Sequence, residues 1–180
     1  MTWDDDIYTC PSCGRDDLVL ASGPKRAKIL IIGEEPGRDE IKKGKPMVGN
    51  MGRVLRGELG RVGLDINQMR LTNLWKHPAQ MVSAKDTEGQ KIKEKCFQNG
   101  LEDVIKEAKG RQAILLLGSD TVSFFCNEKV SEVSGLEVQS SYLSPPLLFA
   151  CVQPATVFHG GLGEVRLALF KFSRLVDDIL

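Results

Sequence analysis

The segment that most constrains this chain runs from Ile29 to Leu55, ILIIGEEPGRDEIKKGKPMVGNMGRVL. A short apolar run rich in isoleucine stops at Gly33, and a tight acidic turn follows, Glu34-Glu35-Pro36-Gly37. A run this short, apolar at every position and closed by turn residues, reads as a strand buried on both faces. Such a strand belongs in an open parallel sheet, which builds its sites at the carboxyl ends of its strands.

Three further runs share that character. Beside Ala27–Gly33 stand Met69–Trp75, Gln112–Gly118 and Leu147–Gln153. Helical patterns lie between them. Gly49–Val62 repeats apolar residues at helical spacing, and Asp86–Lys109 is long and charged, with a break expected near Asn99-Gly100. Ser119–Phe125 opens a helix with Ser119 as its cap, and Leu162–Ile179 closes the chain. Asn127–Pro146 reads as mostly loop because it carries Ser134-Gly135 and ends in Pro145-Pro146. Alternating strands and helices predict an α/β fold, a three-layer α/β/α domain around a short, mostly parallel four-stranded sheet. With 180 residues and no linker, the chain is expected to form a single domain, 1–180, in which residues 1–20 are an arm tied down by its cysteines.

Composition excludes several classes. Hydrophobic residues make up 42% and charged residues 27%, and no apolar run approaches the roughly 20 residues that cross a bilayer. The amino terminus, MTWDDDIYTC, is acidic and lacks the apolar core of a secretory signal. No membrane partner is expected, and the location is read as intracellular, cytoplasmic or nucleoid-associated. The 24 basic side chains balance 24 acidic ones, so the protein does not coat nucleic acid by net charge. A local basic face remains: Arg38, Lys42, Lys43, Lys45, Arg53 and Arg56 flank the glycine-rich segment. The five cysteines are odd in number, which in a chain read as intracellular argues against a disulfide framework. Cys10-Pro-Ser-Cys13 has the spacing of a metal knuckle, whereas Cys126 and Cys151 lie in apolar surroundings and read as small buried hydrophobes.

The strand assignments bring Glu34–Glu40, Asn73, Gly118-Ser119 and Gln153-Pro154 to one sheet edge. A cleft with acids, side-chain amides and glycine-backed loops is therefore expected there. The same residues resemble the motifs of the family 4 uracil-DNA glycosylases. Gly33-Glu34-Glu35-Pro36-Gly37 matches GEAPG except at Glu35, Glu40 stands at a family acid, and Gly44, Pro46, Val48 and Gly49 match G.PFVG. Thr72-Asn73 followed by Lys76 matches TN..K, Leu117-Gly118 matches LG, and Gln153-Pro154-Ala155 falls where the family has HPA or HPS.

The resemblance implies a monofunctional DNA glycosylase acting on DNA that holds uracil or a modified base, and expected to work as a monomer. It implies catalytic roles for Glu34, Glu40, Asn73, Gln153 and His159. Asn73 would read the base edge, Gln153 or His159 would donate to the oxygen that gains charge, and Glu40 would orient water. Gly33, Glu35, Pro36, Gly37, Met47, Gly49, Ser119 and Phe158 would line the base or the DNA, Phe158 as an apolar wedge. It also implies a [4Fe-4S] cluster on Cys10, Cys13, His77 and Cys96, with histidine in place of the family's third cysteine. By ligand chemistry alone, three cysteines and a histidine suit zinc at least as well. Two departures touch the base itself. Gln153 replaces a histidine and cannot carry positive charge, and Met47 replaces a phenylalanine, so a pocket shifted toward a modified base is expected. A non-catalytic or weakly catalytic module on the same fold that binds DNA or a modified base is the competing reading.

Overall fold

The computed structural model describes residues 9–82 and 84–179; the first eight residues of the expected amino-terminal arm lie outside the described ones. Four strands form one sheet: β1 Ile29–Gly33, β2 Arg70–Asn73, β3 Ala113–Leu117 and β4 Leu147–Cys151. Their order is β2-β1-β3-β4 and every neighbouring pair is parallel. All four are buried along their length: β1, β3 and β4 are continuous apolar runs, as coverage of both faces requires, whereas β2 is Arg70-Leu71-Thr72-Asn73, its buried Arg70 paired with Glu107 at 2.7 Å.

The two faces follow from the alternation of side chains along a strand. Ile29, Ile31, Leu71, Leu115 and Phe149 face α2 (Asn50–Arg61) and α6 (Leu162–Val176), where Leu55, Leu59, Val165, Leu169 and Phe172 meet them. Leu30, Ile32, Ile114, Leu116 and Leu148 face α3 (Thr87–Ala108) and α4 (Ser119–Cys126), meeting Leu101, Val104, Val122 and Phe125. The result is the three-layer arrangement expected.

One local expectation is corrected. The break at Asn99-Gly100 is absent: α3 is one helix, started by the Asp86 side chain accepting from the Gly89 N–H at 2.7 Å. Gly100 serves contact instead, since a Cβ there would stand 2.2 Å from the Leu74 carbonyl oxygen. The basic stretch after Gly37 is a short helix, α1 Arg38–Lys43, closed by Gly44 in the left-handed region. The expected loop 127–146 contains α5 Val130–Val133, and Glu137 forms an antiparallel bridge to Phe149. Ser22 makes the matching bridge to Leu71 on the opposite edge. Each outer strand thus has part of its exposed ladder taken up by a passing segment. No helix among the described residues is long and apolar enough to cross a membrane.

Candidate active site

Strand β1 reverses direction of growth in the sheet, with β2 on one side and β3 on the other. Beyond the carboxyl ends at such a switch point, the departing loops separate and leave a crevice. A pocket of about 490 Å³ opens there, lined by Glu35, Gly37–Glu40, Met47, Gly49–Met51, Asn73 and Gln153.

Asn73 ends β2 in register with Gly33 and is buried. Gly33 is the residue that lets it sit there, because a Cβ on Gly33 would lie 2.5 Å from Asn73 Oδ1 and 3.4 Å from Met47 Cε. Met47 is buried beside them with φ of 57°, a left-handed conformation that strains a long side chain. Strain of this kind gathers at sites where surrounding structure imposes it. Here the imposing group is Glu40. Its Oε1 accepts from the Val48 N–H at 3.0 Å and the Gly49 N–H at 2.7 Å, which pins the loop that carries Met47. Glu35 ties the first turn to the segment after β2, accepting from the Ala79 N–H at 2.9 Å.

Gln153 follows β4 and reaches the pocket from the far side. Its Oε1 is buried without a hydrogen-bond partner. An unmatched buried acceptor costs about 1–3 kcal/mol, so this amide is not arranged for the fold alone.

Not every expected residue joins this pocket. Glu34 is outside its lining and half-buried against Asp120, in the first turn of α4. Burial first, then the hydrogen bond and charge of Asp120, push the Glu34 carboxyl up to about 7. Pro36 is buried beneath the turn, Ser119 is exposed at the start of α4, and neither lines the pocket. Phe158, 61% exposed, and His159 sit on the 3-10 turn Pro154–His159, also outside the lining.

The structure adds Asn50 and Met51, which sequence reasoning missed. With Arg38 and Asp39 of the expected edge, they line the pocket because α1 and the start of α2 form one of its walls. Beneath Asn73 lies a buried ion pair. Lys76 Nζ donates to Thr72 Oγ1 at 2.7 Å and to the Asn73 carbonyl at 2.8 Å, and stands 2.7 Å from Asp103 Oδ2 on α3. Burial lowers the Lys76 ammonium despite the attraction of Asp103. The lysine was visible in its motif, but nothing local in the sequence names Asp103 as its partner.

A second cluster lies on the α3 side of β2. Cys10, Cys13, His77 and Cys96 bring their ligand atoms within 4.8 Å of one another, a group that can hold a metal ion. Burial, and then the neighbouring cysteines, raise the Cys96 thiol, so thiolates packed this way need a cation. Cys126 and Cys151 stand apart, their thiols pushed by burial to about 11 and about 12.

The family model of the uracil DNA glycosylase superfamily matches residues 20–169. The chain belongs to that superfamily. It is similar to the type-4 uracil-DNA glycosylase of Archaeoglobus fulgidus, 31% identical over 126 residues, which cover 68% of this chain and 61% of the relative. The enzyme of the same name from Sulfurisphaera tokodaii is 32% identical over 77 residues, 40% of this chain and 35% of the relative. That from Thermotoga maritima is 24% identical over 167 residues, 89% of this chain and 83% of the relative. The chain thus spans less than two thirds of the length of the first two relatives. The superfamily match begins after the Cys10–Cys13 knuckle, so the pocket lies within the matched region and two of the four metal-site residues lie before it.

Proposed function

We propose that this chain is a monofunctional DNA glycosylase that turns uracil, or a modified base, out of DNA and hydrolyses its N-glycosidic bond. The observation that carries this reading is one pocket joining Asn73, Gln153, Met47 and Glu40 at the ends of three strands and the loop between them. A base inside a duplex cannot be reached, so it must be everted into such a hollow.

In this reading the Asn73 amide offers a donor and an acceptor to the O4 and N3–H edge of the base. Gln153 donates to the base oxygen that gains charge as the bond breaks. Gly33 leaves room for the amide, and Met47 supplies a soft apolar wall. One Glu40 oxygen is held by two backbone N–H groups; the other is left to orient water or face the sugar cation. Glu35 and Gly37 line the same wall, and Pro36 and Gly49 shape the turns on either side of it. Glu34, next to Asp120, adjusts the charge near the site without touching the base.

The partner is DNA containing uracil or a modified base. Arg38, Lys42, Lys43, Lys45, Arg53 and Arg56 are all exposed beside the pocket, which suits a phosphate backbone lying across the rim. In this reading the exposed Phe158 fills the vacated stack, and His159 and Ser119 contact phosphate. The protein works inside the cell as a monomer, residues 1–180 forming one unit whose arm is held by a structural metal centre at Cys10, Cys13, His77 and Cys96.

The test is base release from single- and double-stranded oligonucleotides carrying uracil, hypoxanthine or 5-hydroxymethyluracil, with the freed base identified by mass. Release of one of these bases, abolished by Asn73→Ala and reduced at least about 100-fold by Gln153→Ala, supports the assignment. Salt-dependent DNA binding with no base released from any substrate refutes it.

A further inference from the structure

The metal cluster differs from what the motif resemblance implies, and the distances between its ligand atoms make the difference. Cys10 Sγ lies 3.6 Å from Cys96 Sγ, and Cys13 Sγ lies 3.5 Å from His77 Nε2. No two of the four ligand atoms are more than 4.8 Å apart. For one tetrahedral ion at zinc bond lengths, geometry requires ~3.8 Å between two sulfurs and ~3.5 Å between sulfur and nitrogen. A [4Fe-4S] cubane puts each protein ligand on a different iron, outside a core that fills the centre. Its four ligand atoms must stand roughly 6 Å apart. The enclosed space therefore fits one ion and does not fit four irons with their sulfides.

Widening it is opposed on each side. The knuckle is closed by the Cys10 N–H donating to the Arg15 carbonyl at 2.6 Å and the Gly14 N–H donating to the Cys10 carbonyl at 2.8 Å. The chain entering from the arm is tied beside His77, where the Val19 N–H donates to the Lys76 carbonyl at 2.7 Å. Helix α3, which carries Cys96, is already in contact with the Leu74 carbonyl through Gly100, leaving no slack between helix and strand end. The histidine is oriented for the task as well. Its Nδ1 lies 3.4 Å from the Pro78 carbonyl, which directs Nε2 to the ligand position.

We infer that Cys10, Cys13, His77 and Cys96 form a mononuclear zinc site rather than an iron-sulfur site. Three thiolates and one imidazole complete a tetrahedral shell, so no position is open for water or substrate. The ion is structural: it pins the amino-terminal arm to α3 and to the segment leaving β2, and it supplies no redox chemistry. This inference is independent of the base-excision reading, because a structural ion of either kind leaves the pocket chemistry unchanged.

The experiment is metal analysis of the full chain purified without oxygen from cells supplied with both iron and zinc. About one zinc per chain, no acid-labile sulfide and no visible colour are expected. Titration of the thiols with an organomercurial should release that zinc as three cysteines react. The cobalt(II)-exchanged protein should show the intense visible bands of a tetrahedral thiolate site. Growth with zinc depleted and iron in excess, followed by anaerobic incubation with ferrous iron and sulfide, separates a true zinc site from a lost cluster. Protein that stays free of sulfide and takes up about one zinc on addition supports the inference. Brown protein with about four irons and as many sulfides per chain overturns it. Glycosylase activity is not needed for any of these readings.

Discussion

The buried pair beneath Asn73 permits a worked prediction. Lys76 and Asp103 are each less than 10% exposed, and the lysine nitrogen meets three oxygens within 2.8 Å. Lys76→Met keeps the aliphatic stem and removes the charge. It strands Asp103 as a buried carboxylate and leaves Thr72 Oγ1 and the Asn73 carbonyl without their donor. Breaking one side of a buried pair costs about 3–5 kcal/mol. Removing both charges in Lys76→Met/Asp103→Leu still leaves the two neutral acceptors unmet, at about 1–3 kcal/mol each, but Lys76→Met shares that cost, so it cancels between the two variants. The double variant should therefore be more stable than Lys76→Met alone by about 3–5 kcal/mol, the cost of the stranded carboxylate, even though it carries more changes. Urea unfolding at matched metal content, with all curves sharing one m-value, measures both numbers. A single variant within 1 kcal/mol of the parent, or costs that simply add, would refute the argument that this lysine is tolerated in the core only because Asp103 is there.

Three further outcomes are expected. Gly33→Ala places a methyl 2.5 Å from Asn73 Oδ1, so base release should fall at least about 100-fold while the far-ultraviolet circular dichroism is unchanged. Gln153→His supplies a donor able to carry positive charge toward the departing base, and single-turnover assays on uracil-containing DNA should show a faster rate. Glu34 holds a proton up to about pH 7 in the folded chain but only up to about 4.5 in the unfolded one. The folded state therefore binds the extra proton between those values, and stability falls as pH rises through that window. Glu34→Gln should remove this fall, raising the melting temperature relative to the parent at pH 8 and leaving the difference smallest near pH 4.

The layer order was legible before any coordinates because it depends on local pattern. Three largely apolar runs and the mixed run Met69–Trp75 admit little besides a covered parallel sheet, and the intervening helices show their apolar faces by spacing. The pocket was legible in part for the same reason. Glu40, Asn73 and Gln153 stand just after strands or turns, and parallel strands send their carboxyl ends to one edge. Glycine misled where it was taken as punctuation. Gly100 reads as a helix break, yet it is the place where α3 meets the Leu74 carbonyl, a contact made by residues far apart in the chain.

Glu34 shows the same limit at the site. In sequence it is equivalent to its neighbours in the acidic turn. In space it leaves the pocket and meets Asp120, a residue that is brought to it by the adjacent strand. By itself, then, the sequence determined the architecture and the edge of the sheet that carries the site, and its motif resemblance implied the four residues able to bind a metal. Only the tertiary structure decided which acids face the pocket, that Lys76 is paired with Asp103, and how closely the four ligand atoms approach. The physical reason is that periodicity and turn chemistry act over a few residues, whereas charge pairing, close approach and ligand spacing depend on distances between segments that only packing sets.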